Sequence, residues 1–256
     1  MKTVSRYEEL APLISAQFRR GVRTNAFFDR GELERLIGRG ELCARSTPAG
    51  LLLLVRRPAF SRLHFYLNDL SAPLAAELPG AVVCEIAFRP RDTGLQEAAD
   101  WLCAQGFSPL LSRVRLSRAP GAAPAPEFPL RTPEDGERER LWGFLQEMFD
   151  PLTGCVPTLE EFEPDRCLFL EGGAEPAGLI HFVQGRRGGE IRHLAVHPDR
   201  RGRGLSRQLI AGCLQALEGG PCTVWTGADN TAALRAYGAV GFQPDGWRSA
   251  VLGKMT

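Results

Sequence analysis

The sequence has no C-x-x-C pair, and its seven cysteines, an odd number, lie scattered along 256 residues. This argues against a disulfide framework and against a structural zinc site, and for a reducing cytoplasm. No metal is expected. No run approaches the roughly 20 apolar residues that a spanning helix needs, and "LLLLV" at 51–55 is a buried strand at most. No apolar stretch follows a basic start, so no secretory leader is expected. Lysine is nearly absent, with only Lys2 and Lys254 among 31 basic residues. Net charge is +1, so no global field draws the chain to nucleic acid or to a membrane. Neither phosphate loop G-x-x-x-x-G-K-[ST] nor G-x-G-x-x-G occurs.

What remains is the composition of a soluble globular protein, 44% hydrophobic and 24% charged. Charge is uneven: residues 1–118 carry 17 basic and 12 acidic side chains, residues 119–256 carry 14 and 18. The Pro/Ala-rich stretch "RAPGAAPAPEFPL" has no apolar periodicity and reads as a linker. The expected division is therefore 1–118, a linker at 119–128, and 129–256.

In the second half, "EFPLRT" is expected as a first strand and "ERERLWGFLQEMFD" as a helix. "RCLFLEGG" and "PAGLIHFVQGRRGGEIRHLAVHP" then read as three strands joined by Gly-rich turns. "GLSRQLIAGCLQALEGG" is a helix with Leu205, Leu209, Ile210, Cys213 and Leu217 inward. "CTVWTGA" is a strand, "NTAALRAYGAVGF" a helix opened by an Asn cap, and "WRSAVL" a closing strand. The first half repeats this plan weakly. "AADWLCAQGF" parallels "AALRAYGAVGF", with Gly106 and Phe107 matching Gly241 and Phe242 at an offset of 135 residues. The expected fold class is α/β: two tandem domains, each a mostly antiparallel mixed sheet flanked by helices.

One loop concentrates chemistry. In "HLAVHPDRRGRGLSRQL" an apolar strand stops at a proline, and arginines and glycines lead into a helix. A helix N-terminus exposes unpaired N–H groups and partial positive charge, which favour an anion. Gly202 and Gly204 remove side chains where a ligand would approach, and Arg201 and Arg203 add donors for phosphate oxygens.

The stretch "VHPDRRGRGLS" resembles the acetyl-CoA-binding motif of the GCN5-related N-acetyltransferases (GNAT), read here through Arg201, Gly202, Arg203, Gly204, Leu205 and Ser206. Ser206 stands where the motif carries Gly or Ala. "NTAALRAYGAVGF" resembles a second motif of the family, through Asn230, Ala233, Tyr237, Gly241 and Phe242. The resemblance covers 129–256; the first half resembles a degenerate copy, with Leu95 and Leu102 where Asn230 and Tyr237 would pair.

The resemblance implies an acetyl-CoA-dependent N-acetyltransferase, with acetyl-CoA as co-substrate and direct attack by a primary amine of a small molecule or peptide. It implies that Leu194, Ala195 and Val196 supply strand backbone to the cofactor, Leu194 N–H polarising the acetyl carbonyl. Residues 202–206 would hold its pyrophosphate, Asn230 and Ala233 would lie at the mouth, and Tyr237 would be the general acid. Glu190 and His193 are the two candidate bases. Strand alternation puts Glu190 and Arg192 on one face and His193 on the other. A non-catalytic acyl-CoA sensor and an enzyme using a longer acyl-CoA stay open as alternatives. A homodimer, or a pseudo-dimer within one chain, is expected from the resemblance alone.

Overall fold

The computed structural model describes residues 1–75, 77–186 and 188–255. Along the chain run β1 (Lys2–Thr3), α1 (Tyr7–Phe18), β2 (Arg23–Thr24), α2 (Arg30–Gly38), β3 (Leu42–Thr47), β4 (Gly50–Arg56), β5 (Ser61–Leu67), β6 (Val82–Phe88), α3 (Thr93–Ala104) and β7 (Ser108–Arg118). There follow α4 (Arg138–Met148), β8 (Cys167–Leu170), β9 (Gly178–Gly185), β10 (Gly188–Val196), α5 (Leu205–Ala216), β11 (Cys222–Gly227), α6 (Thr231–Gly238) and β12 (Gln243–Lys254). Among the described residues no helix is long and apolar enough to cross a membrane.

The chain divides into two units. Unit 1 is Met1–Ser112 together with the chain from Arg248; unit 2 is Arg113–Trp247. This differs from the division at 118 and 129. The end strands are exchanged: β12 pairs antiparallel with β6 from Arg248↔Phe88 to Lys254↔Val82, and β7 pairs with β11 from Cys222↔Arg118 to Gly227↔Arg113. "WRSAVL" thus closes unit 1, where Leu252 is buried, and Leu116 of β7 is buried in unit 2. The 119–128 stretch lies inside unit 2, with Gly121 N–H on Gly219 carbonyl at 2.9 Å and Glu127 N–H on Gln208 Oε1 at 2.6 Å. Among the described residues "EFPLRT" makes a single bridge, Arg131 to Phe169, because Pro129 cannot donate to a ladder.

In unit 1 the strand order is β1, β3, β4, β5, β6, β12, with β2 on β5. β4 is apolar at successive positions because both its faces are covered. Leu52 and Leu54 pack with Ala98 and Leu102 of α3, while Leu51, Leu53 and Val55 pack with Leu10 of α1 and Leu33 and Leu36 of α2. Unit 2 has the order β7, β11, β10, β9, β8. One face carries α5 and α6 over Ile180, Phe182, Ile191 and Val224. The other carries α4, with Leu141, Phe144 and Leu145 over Phe169, Leu179 and Ala195. Each unit is therefore a mixed sheet between helical layers, with one parallel strand pair: β5 with β6, and β10 with β11.

Candidate functional site

The parallel pair in unit 2 is short. β10 pairs with β11 at Gly189↔Cys222, Glu190↔Thr223 and Ile191↔Val224, and then separates from it. β10 meanwhile stays paired with β9 as far as Val196↔Gly178, and β11 with β7 as far as Gly227. A gap thus opens between β10 and β11 beyond Ile191. His197 N–H bonds Ala177 carbonyl at 3.0 Å, towards β9. Backbone groups alternate along a strand, so Leu194 and Val196 turn theirs away from β9 into the gap. Val196 carbonyl there accepts from Arg201 Nε at 3.2 Å. Ala195 does not fit its expected role: its backbone faces β9, and its methyl is buried beneath α4.

Beyond Val196 the chain reaches the N-terminus of α5. Gly202 and Gly204 both have φ +77°, a left-handed conformation that glycine adopts without strain, and Gly204 is the N-cap. Among the described residues the N–H groups of 202–206 take no intramolecular partner. A Cβ on Gly202 would meet nothing within 4 Å, so the backbone there is open. Arg203 is exposed, Ser206 half-buried, and Leu205 packs against the α5-side core. Unpartnered N–H groups, a helix N-terminus and exposed guanidinium groups together fit a pyrophosphate.

Asn230 caps α6, its Oδ1 accepting from Ala233 N–H at 3.0 Å. Two turns of α6 away, Tyr237 is buried, with Phe242 edge-on at 5.4 Å between ring centroids. Burial first, and then Cys213 and Cys222 nearby, push its hydroxyl well above the ordinary tyrosine range. It keeps its proton at neutral pH.

The two candidate bases differ in environment. Glu190 is half-buried and ion-paired with Arg192 at 3.2 Å. His193 is 4% exposed and lies parallel to His181, with Nδ1 to Nδ1 at 3.2 Å and Nε2 to Gly154 carbonyl at 3.1 Å. A carbonyl only accepts, so His193 Nε2 carries the proton and its Nδ1 accepts from His181 Nδ1–H. Both ring nitrogens of His193 are thereby engaged, and no lone pair is free for a base. A β-bulge at Arg192 also corrects the expected alternation. Pairing shifts between Ile191↔Phe182 and His193↔His181, leaving Arg192 as the extra residue. Ile191 faces α5, so Glu190 faces away from it; past the bulge His193 does too, beside Phe149 at 5.1 Å.

A family model for the acetyltransferase (GNAT) family matches residues 131–242. Over those residues, fewer than half of the 256, the chain is similar to GNAT acetyltransferases. That similarity supports acyl transfer. Among solved structures, the chain is similar to a GNAT-family acetyltransferase from Colwellia psychrerythraea, with TM-score 0.57, 11% identity, and coverage of 100% of this chain and 99% of that one. It is also similar to a GCN5-related N-acetyltransferase from Sphaerobacter thermophilus, with TM-score 0.56, 17% identity, and coverage of 96% and 91%. A tandem GNAT protein from the clavulanic acid biosynthesis pathway gives TM-score 0.51 at 14% identity, over 81% and 79%. At such identities the likeness is one of fold. A search of curated proteins gave no match.

Unit 1 has a corresponding gap, and it is filled. β5 pairs with β6 only at Ser61↔Val82 and Arg62↔Val83. Beyond that point β2 lies on β5 (Arg23↔Leu67, Thr24↔Tyr66), and the buried Asn25 follows. Asn25 Nδ2 donates to Leu63 carbonyl at 3.2 Å and to Glu85 carbonyl at 2.9 Å, and its Oδ1 accepts from Phe65 N–H at 2.8 Å. Strand backbone that unit 2 leaves open is here bound by the chain itself. Sequence reading passed over Asn25, which in "RTNAFFD" looks like a turn residue. Among the described residues no group of three His, Cys, Asp or Glu converges on a metal-sized site.

Proposed function

We propose that unit 2 is an acetyl-CoA-dependent N-acetyltransferase acting on a primary amine of a small molecule or peptide. The observation that carries this reading is the gap between β10 and β11, open beyond Ile191 and continuous in sequence with the unpartnered N–H groups of 202–206. Acetyl-CoA supplies an activated thioester; in the overall transfer one C–N bond forms, one C–S bond breaks, and one proton moves from nitrogen to sulfur.

The chain's own groups divide that work. Residues 202–206, with Arg201 and Arg203, hold the pyrophosphate. Leu194 and Val196 present backbone groups to the pantetheine arm, and Leu194 N–H lies on the side where it can polarise a carbonyl. Arg201 releases Val196 carbonyl as it turns to phosphate. Glu190 takes the amine proton, directly or through water. Tyr237 is the proton donor to the departing thiolate in this reading. Asn230 orients the mouth while capping α6. Seven free cysteines suit work in the reducing cytoplasm.

Calorimetric titration with acetyl-CoA, followed by a thiol-release assay across an amine panel, tests the proposal. One site per chain and amine-dependent thiol release are expected, because Asn25 fills the gap of unit 1. Absence of binding to folded protein would overturn the reading. Two sites would overturn the role given to Asn25.

A further inference from the structure

The sheet face of unit 2 that looks away from α5 is covered unevenly. The core beneath α4 draws on β8, β9 and β10 and, among the described residues, takes none from β7 or β11. Val224 and Leu116 are buried on the α5 side, so their neighbours Trp225 and Arg115, paired across the two strands, point to the other face. Both are half-buried.

Arg115 is held there as a fixed fork. Its Nε donates to Asp245 Oδ2 at 2.7 Å, while Asp245 Oδ1 accepts from Trp247 N–H at 3.1 Å. The guanidinium carbon lies 5.9 Å from the Trp225 ring and 5.1 Å from the Trp247 ring. Among the described residues its terminal nitrogens take no partner. A guanidinium edge between two indoles suits a carboxylate attached to an apolar or aromatic body. It does not suit a polycation. Both oxygens of Asp245 are engaged.

Span narrows the class. Glu190 is level with Thr223, and Thr223 with Ser117, so Glu190 and Arg115 stand two strands and two residues apart. Sheet spacings make that about 12 Å between Cα atoms. Asp245 of β12 holds the Arg115 guanidinium on the side of β7 away from β10, so the two side chains do not close this distance, and the amine and carboxylate of a single α-amino acid are too close to reach both groups. A chain of two or three residues, at about 3.3–3.6 Å each, is long enough.

We propose that the acceptor is the N-terminal amine of a short peptide whose free C-terminal carboxylate rests on Arg115 between Trp225 and Trp247. This rests on the acetyltransferase reading above, with the amine proton going to Glu190 and the acetyl carbon bonding to the peptide nitrogen. Arg115 is a specificity residue here and takes no part in the bond changes.

The test uses the full-length chain, acetyl-CoA, Gly-Gly-Phe, its C-terminal amide, free phenylalanine and spermidine, read by thiol release. The free-acid tripeptide is expected to exceed its amide at least tenfold in kcat/KM, chiefly through KM, and to exceed phenylalanine and spermidine. Arg115→Gln brings the acid-to-amide ratio towards one; because the ratio is taken within one preparation, any loss of folded protein cancels. Equal turnover of acid and amide, a preference for spermidine or phenylalanine, or acetyl-CoA binding without turnover of the tripeptide would overturn the peptide inference and leave the acetyltransferase reading standing. Failure to bind acetyl-CoA would overturn both.

Discussion

The hydrogen-bonded pair His181–His193 gives unit 2 an acid sensitivity whose size follows from its burial. The two imidazoles are 6% and 4% exposed. Burial is the largest cause that lowers each below the ordinary histidine value, His181 to about 3 and His193 to about 4, and the positive charge of Arg192 adds to both. Each ring is therefore neutral in the folded chain at pH 5, whereas in the unfolded chain it titrates near 6.5. In that window the unfolded state binds more protons, so stability falls as pH falls. The loss begins as pH drops through about 6.5 and is complete once it passes the folded values. Between pH 8 and pH 5 each ring contributes about 2 kcal/mol of loss, so the pair contributes roughly 4 kcal/mol. Urea unfolding followed by tryptophan emission reads this, since Trp142, Trp225 and Trp247 all lie in unit 2; Trp101→Phe silences unit 1. The double variant His181→Asn, His193→Asn is expected to be less stable at pH 8 but to lose roughly 4 kcal/mol less than the parent on acidification. His64, also lowered to about 4 by burial, lies in unit 1 and is common to both proteins. Equal pH dependence in parent and variant would refute the reasoning, because it would mean that the imidazoles titrate in the folded chain as they do in water.

Asn25→Ala leaves Leu63 carbonyl, Glu85 carbonyl and Phe65 N–H without their side-chain partner in a buried gap. A loss of roughly 3 kcal/mol is expected in unit 1 by thermal unfolding, with one acetyl-CoA site per chain retained by calorimetry. Asn230→Ala removes the cap on Ala233 N–H and should cost about 1 kcal/mol, whereas Asn230→Asp keeps it. A drop in acetyl-CoA turnover in Asn230→Asp at unchanged melting temperature would separate its place at the mouth from its work as a cap.

The glycine-rich turn before α5 and the helix caps were readable because their physics is local. Gly202 and Gly204 mark left-handed backbone, apolar spacing marks α5, and Asn230 precedes a helix. The exchange of β7 and β12 was not readable. Both strands present apolar residues that either unit could bury, and nothing within a strand states which partner it will meet. The filled gap of unit 1 escaped for a related reason. Asn25 acts through backbone groups 38 to 60 residues away, and no short-range pattern carries that information.

The site in unit 2 turns on one residue whose effect is equally non-local. Up to Ile191, odd-numbered residues of β10 face α5 and turn their N–H groups towards β11. If that alternation continued, His193 would face α5 with its N–H in the gap, and Leu194 would bond to β9. Arg192 is the extra residue that shifts both parities together. It sets His193 opposite His181, where Gly154 carbonyl anchors the 150–156 loop. It also turns Leu194 and Val196 into the gap that strand separation opens. The bulge therefore does two things the reaction needs at once: it closes the α4 side of the strand around a dry, neutral pair, and it frees backbone donors on the side where a thioester would lie. Glu190, upstream of the bulge, stays on the face it shares with Trp225 and Arg115. The proposed proton acceptor, the proposed carbonyl-polarising N–H and the proposed acceptor-binding face thus come from one continuous strand and its neighbours. Their relative placement is set by a single inserted residue.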